Sequence, residues 1–110
     1  MESVSFIIPH KGRENMLIET IVSIAALEYP HELLEIVLVS QNPAVSEEVA
    51  QAAGNITLQV IESSPDNTIS TSRNIGASQA KGSYFAFLDA DIALSANWLS
   101  TCLQLLQSRP

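Results

Sequence analysis

The stretch Phe87-Leu88-Asp89-Ala90-Asp91-Ile92 holds two of the chain's three aspartates, two positions apart and directly after an apolar run. Carboxylates are unfavourable to bury and aspartate is depleted in strands, so an acidic pair closing a strand-like segment needs a reason. Two such side chains can offer oxygen ligands to a hard divalent cation. Mg²⁺ and Mn²⁺ take one or two protein carboxylates and complete their shell with water and phosphate oxygens. A plainer reading stands beside this one. Asp-x-Asp after a strand can be a turn in which aspartate bonds its own backbone, or Asp91 can solvate the start of the helix that follows.

Of only five basic residues, Lys11, Arg13 and Arg73 fall near candidate strand ends. Lys11 and Arg13 read equally as phosphate or base contacts and as ordinary solvated charges. Arg73 is the strongest of the three, because the first turns of a helix already favour anions. His10 reads as a pocket-lining residue or a plain loop histidine, and His31, beside Pro30, as a turn residue. Gly76 and Ala80 suit close helix–sheet packing. Trp98 reads as a packing residue rather than a sugar platform, and Cys102 as a core thiol with no nearby base to activate it.

The elements that must position these groups follow from hydrophobic spacing. Apolar runs at residues 5–9, 34–39 and 84–88 read as strands, and residues 56–62, which alternate, read as a strand with one side partly wet, as at a sheet edge. Helical spacing covers residues 14–27, stopped by Pro30, and residues 46–53, closed by Gly54-Asn55. It also covers residues 68–80, capped by Asn67 or Thr68, and residues 95–107, with Leu99, Cys102, Leu103 and Leu106 on one face. Strands alternating with helices predict an α/β domain with a Rossmann-like, mostly parallel sheet in the order 3-2-1-4. The continuous apolar strands one, two and four are expected to be covered on both faces. The apolarity of strand four implies more sheet beyond it. With the stop at Ser108-Arg109-Pro110, this reads as the front part of a longer protein.

The bulk numbers narrow the function. The chain has 110 residues, 46% hydrophobic and 15% charged, which fits one small globular domain spanning residues 1–110. Its net charge of −7 argues against general binding to nucleic acid or anionic lipid. No apolar run reaches the ~20 residues that span a bilayer. No signal peptide is visible, and the single cysteine excludes an internal disulfide, so the expected compartment is the cytoplasm.

In an open parallel sheet, ligands bind beyond the carboxyl ends of the strands where the strand order reverses. Asp89 and Asp91 lie past strand four, Lys11 and Arg13 past strand one, Ser40 and Gln41 past strand two, and Arg73 early in the helix after strand three. All are expected to converge on the crevice between strands one and four. There a cation on the aspartates would neutralise a diphosphate that the net charge otherwise repels.

"VSFIIPHKGRENMLIETIVSI" and "SRNIGASQAKGSYFAFLDADI" resemble the large inverting family of nucleotide-sugar glycosyltransferases with the GT-A fold, the second segment ending in that family's DxD motif. The resemblance runs from about Val4 to Trp98 and corresponds to the donor-binding half of such an enzyme. It implies that Pro9, His10 and Lys11 line the nucleotide pocket and that Arg73 faces the nucleotide or its phosphates. It further implies that Asp89 approaches the ribose or sugar and that Asp91 binds Mn²⁺ or Mg²⁺, with Asp89 beside it. The donor would be a nucleotide-diphosphate sugar, and the acceptor a glycan, lipid or protein. The longer protein could then work at the inner membrane face. The family carries acidic residues after strand two, one reading a uracil edge, whereas this chain has Val39-Ser40-Gln41-Asn42. Gln41 can still donate and accept hydrogen bonds to a base. The family's catalytic base is a later carboxylate, and nothing after Asp91 here is acidic. The resemblance therefore implies no catalytic residue in this chain, which would bind donor without transferring sugar. Rival readings are a non-catalytic binding domain on the same fold and a haloacid-dehalogenase-type phosphotransferase. The latter type opens its domain with Asp-x-Asp followed by threonine or valine, unlike Ile92-Ala93 here. A strand edge left bare would make the chain a homodimer through strand four or the last helix.

Overall fold

The computed structural model describes residues 2–42 and 44–108. Met1, Pro43, Arg109 and Pro110 lie outside the described residues, so of the terminal run only Ser108 is included. Four strands, β1 (Val4–His10), β2 (Leu34–Ser40), β3 (Thr57–Glu62) and β4 (Tyr84–Phe87), alternate with four helices. These are α1 (Asn15–Ala25), α2 (Glu47–Ala52), α3 (Ile69–Gln79) and α4 (Trp98–Gln107). The strands form one sheet in the expected order β3-β2-β1-β4, with every pair parallel. A short 3₁₀ turn at His31–Leu33 precedes β2 and was not legible in the periodicity. His31 donates from Nε2 to the Ala25 carbonyl at 2.9 Å, which ties that turn to the end of α1.

Alternation along the strands divides the core in two. Val4, Phe6 and Ile8 of β1 and Leu34, Ile36 and Leu38 of β2 face α1, α2 and α4, meeting Leu17, Ile21, Ile24, Val49, Leu99 and Leu103. Trp98 packs in this layer against Phe6, the rings tilted by 44° with centroids 6.2 Å apart, in the packing role expected of it. Ile7, Val37 and Val39 face the other way, towards Ile75 of α3 and Ile61 of β3. Thr68 is the cap of α3, its hydroxyl accepting from the Thr71 amide at 3.1 Å.

One expectation fails here. β4 is not covered on both faces. Tyr84 and Ala86 join the larger core, but Phe85 and Phe87 are 43% and 48% exposed. The cause is a shortage of helices on that face, where α3 packs over β1 and β2 and stops short of β4. Leu106, expected on the buried face of α4, is also exposed, whereas Leu99 and Leu103 are buried and Cys102 is partly so. α4 starts at Trp98 rather than near residue 95, so Asp91 lies well outside its first turn.

The register of β4 is set at the amino edge of the sheet. Buried Ser5 donates to Glu35 Oε2 at 2.6 Å and accepts from the Gly82 amide at 2.8 Å, while the Lys81 amide donates to the same Glu35 oxygen at 2.9 Å. This network seats the turn before β4 against β1 and β2. The pairs Ser5–Phe85 and Ile7–Phe87 then follow.

Gly76 brings α3 onto the sheet. A Cβ there would lie 2.5 Å from Ile7 Cγ2 and 3.1 Å from Val39 Cγ2. Ile7 is fully buried and has nowhere to move. Gly76→Ala should therefore destabilise the domain by about 1–3 kcal/mol, read as a lower denaturant midpoint. An unchanged midpoint would show that α3 rides on the sheet more loosely than these contacts say.

Candidate functional site

Beyond its last residue each strand delivers a short loop. The backbone pairing of β1 with β4 ends where the Leu88 amide donates to the Ile7 carbonyl at 3.0 Å, so Asp89 is the first residue free of the ladder. On the other side of β1, the Gln41 amide donates to the His10 carbonyl at 2.9 Å. The chain leaves β1 towards β2 and later returns to β1's opposite edge as β4. An open cleft of ≈ 530 Å³ lies at that reversal, between the loops that follow β1 and β4. Pro9, His10, Lys11 and Arg13 line one wall, Asp89 and Asp91 the other, and Gln41 also borders it. Arg73 is not among the lining residues. It acts on one of them instead, its Nη2 donating to Asp89 Oδ1 at 3.2 Å.

The plain readings of the acidic pair can be checked against this geometry. Residues 89–92 do make a turn, but it closes through the Asp89 carbonyl and the Ile92 amide at 3.4 Å. Neither carboxylate bonds its own backbone, and among the described residues nothing hydrogen-bonds to the carboxylate of Asp91. The side chains of Arg73 and Asp89 are 41% and 60% exposed. Such a pair contributes about 0–1 kcal/mol to stability, so it orients Asp89 more than it holds the fold. Arg73 Nε is buried without a hydrogen-bond partner among the described residues.

These loops belong to a recognisable kind of sequence. Residues 5–110 match the family described as Glycosyl transferase family 2. The chain belongs to that family. No curated protein matches it in sequence. Among solved structures it is similar to S. aureus TarS 1-349 at 21% identity and a TM-score of 0.85, covering 96% of this chain and 32% of that one. The same protein in complex with UDP-GlcNAc gives 21% identity and a TM-score of 0.84, covering 96% and 31%. Mannosyltransferase PcManGT from Pyrobaculum calidifontis, in complex with GDP-Man and Mn²⁺, gives 20% identity and a TM-score of 0.83, covering 99% and 33%. At these identities the likeness carries the fold, which is the amino-terminal part of the GT-A architecture expected from the sequence. The chain spans about a third of the length of these structures.

In this family 2 domain one side chain does less than expected. Both N–H groups of the Gln41 amide are taken by backbone, Nε2 donating to the Ser64 and Asn67 carbonyls at 2.8 Å each. Two carbonyls around one nitrogen fix the amide's orientation. In this structure both donors of Gln41 are therefore occupied, and its carbonyl oxygen is the group left to accept. Lys11 is also engaged, Nζ donating to the Pro65 carbonyl at 3.2 Å. Asn15, Met16, Ile69 and Ala90 line the cleft as well, without any sequence signal beyond their neighbourhood. No helix among the described residues is long and apolar enough to cross a membrane.

His10 forms part of the cleft while 96% of its surface is covered, being only 4% exposed. Burial pushes its pKa below the ordinary histidine value, against the opposing pull of the Glu14 charge and a hydrogen bond to the Gly12 backbone. Glu14 is itself held low by hydrogen bonds from the Ser46 side chain and then the Ser46 amide. A depressed histidine means that the unfolded chain takes the proton more readily. The stability His10 contributes is therefore intact above the unfolded value of about 6.5 and is lost as pH falls towards the lower folded-state pKa. Glu14 works in the same direction at lower pH. An NMR titration should show His10 titrating below the ordinary value, with stability falling between neutral and mildly acidic pH. A normal or raised His10 pKa would contradict this.

Proposed function

We propose that this chain is the donor-binding part of an inverting glycosyltransferase that takes a nucleotide-diphosphate sugar complexed with Mn²⁺ or Mg²⁺. The observation that carries the reading is the meeting of Asp89 and Asp91 with His10, Lys11 and Arg13 in one cleft at the strand-order reversal. The donor set suits such a cation. Among the described residues no three His, Cys, Asp or Glu side chains gather as a closed metal cage. Two carboxylates alone fit an ion that keeps water and phosphate oxygens in its shell. Asp91, free of hydrogen-bond partners among the described residues, would hold it, with the second oxygen of Asp89 beside it. When bound, the cation supplies charge to the diphosphate. The rest falls to the chain. Lys11 and Arg13 draw the phosphates in, Pro9 and His10 form the wall against the nucleoside, and Arg73 steadies Asp89 and adds positive charge beside the N-terminal turn of α3. The solved relatives with UDP-GlcNAc or with GDP-Man and Mn²⁺ support this donor class.

The chain by itself is proposed to bind donor without transferring sugar. Its two cleft aspartates are the proposed metal pair, and no acidic residue follows Asp91 to act as base. The absence of an acidic residue directly after β2, where Ser40, Gln41 and Asn42 stand, favours as second reading a non-catalytic binding domain on the same fold. The acceptor belongs to the proposal only as an unspecified glycan, lipid or protein, and the compartment as cytoplasm or its membrane face. Titration calorimetry with UDP and GDP tests the donor site. Binding is expected only with Mn²⁺ or Mg²⁺, lost in Asp91→Ala and weakened about tenfold in Arg73→Ala with little change in melting temperature. Metal-independent binding that survives Asp91→Ala would overturn it.

Self-association is proposed on separate ground. Phe85 and Phe87 leave β4 with an apolar face beside an unpaired edge, and Leu105 and Leu106 do the same on α4. Sedimentation over a concentration series should show a dimer that Phe87→Lys disperses, and a monomer at high concentration would exclude it.

A further inference from the structure

We propose that Asn42 is the positioning residue of the cleft, its side-chain amide clasping Gly12 and so holding in place the loop from which Lys11 and Arg13 reach the ligand. The role rests on the donor-site reading above.

The register of β1 on β2 runs out at His10–Ser40, and the last backbone rung is the Gln41 amide on the His10 carbonyl. Beyond it the chain turns at Gly12, whose φ of +95° lies where side-chain-bearing residues are strained. The backbone of Asn42 does not continue the ladder, since its amide turns to Ser40 Oγ at 3.2 Å. Its side chain does so instead. Asn42 Oδ1 accepts from the Gly12 amide at 2.9 Å, and Nδ2 donates to the Gly12 carbonyl at 2.7 Å. Both main-chain groups of one glycine are thus held by one planar amide, as a neighbouring strand residue would hold them. The same Nδ2 lies 3.3 Å from His10 Nε2, tying the clasp to the buried end of β1.

Only a primary amide has a donor and an acceptor side by side in this geometry. An aspartate would present a second acceptor to the Gly12 carbonyl. Without the clasp, the exposed groups of Gly12 would turn to water, and the glycine would let the loop sample many shapes. Lys11 and Arg13 flank Gly12 on either side, and both line the cleft. The loss would therefore appear in how well two cations meet a diphosphate rather than in the stability of the core.

The test compares the wild-type chain with Asn42→Ala, Asn42→Asp, Lys11→Ala/Arg13→Ala and the triple variant Asn42→Ala/Lys11→Ala/Arg13→Ala, each titrated with Mn²⁺-UDP and Mn²⁺-GDP. Asn42→Ala is expected to weaken binding about fivefold at unchanged melting temperature, and Asn42→Asp at least as much. The salt dependence of the affinity should flatten as it does in Lys11→Ala/Arg13→Ala. In the triple variant Asn42→Ala should add no further loss, because it acts through those two side chains. Amide exchange at Gly12, slow in the wild type and fast in Asn42→Ala, reports the clasp without any ligand. Unchanged affinity in Asn42→Ala, or full additivity in the triple variant, overturns the role of Asn42 and leaves the donor site standing. A wild-type chain that binds neither nucleotide refutes the donor reading, and the positioning role falls with it.

Discussion

β1, like β2, is paired along both edges and buried on both faces, and among the described strands it is β1 that sits where the strand order reverses. Its residues Val4, Phe6, Ile7 and Ile8 are almost wholly withdrawn from water, which forces helices onto both sides of the sheet. It also forces the chain to reach β1 twice, from β2 on one side and from β4 on the other. The loops after β1 and β4 meet at this reversal of strand order, and the cleft lies between them. The cleft is thus a consequence of topology, and the polar residues gathered there are those that the loop ends happen to carry.

Charge underlies the proposed ligand class of the cleft. A chain of net charge −7 repels anions over most of its surface. At the end of β1, Lys11 and Arg13 stand on one wall opposite Asp89 and Asp91, with Arg73 behind Asp89. An anion alone meets mixed charge there, and a cation alone meets two carboxylates, one of them already paired. The combination of a divalent cation with a diphosphate satisfies both walls at once. That complementarity is why the donor reading accounts for the basic and acidic residues together.

The strand order was legible because it rests on coarse signals, apolar runs of strand length alternating with helical spacing. Thr68 and Gly76 could be read for the same reason, a cap and a close approach being tied to residue type. The failures share a different cause. The exposure of Phe85 and Phe87 depends on how many helices cover one face of the sheet, which the apolar pattern of β4 does not encode. The loss of the Gln41 donors depends on two carbonyls from a loop more than twenty positions away. Asn42 carried no signal at all, since its hydrogen bonds to Gly12 form only once Gly12 has turned and the β1 and β2 ends lie side by side. Residues that act by type were visible, and residues that act by placement were not.

A divalent cation and a nucleoside diphosphate are proposed to meet at the end of β1, between the two aspartates and the basic loop. Paramagnetic broadening of backbone amides by Mn²⁺, followed by NMR with UDP or GDP present, locates the ion directly. Broadening is expected to centre on Asp89, Ala90 and Asp91, to extend to Lys11 and Gly12, and to spare Glu35 and Ser83 at the opposite edge of the sheet. Broadening centred instead on Glu47 and Glu48, or unchanged by the nucleotide, would contradict it.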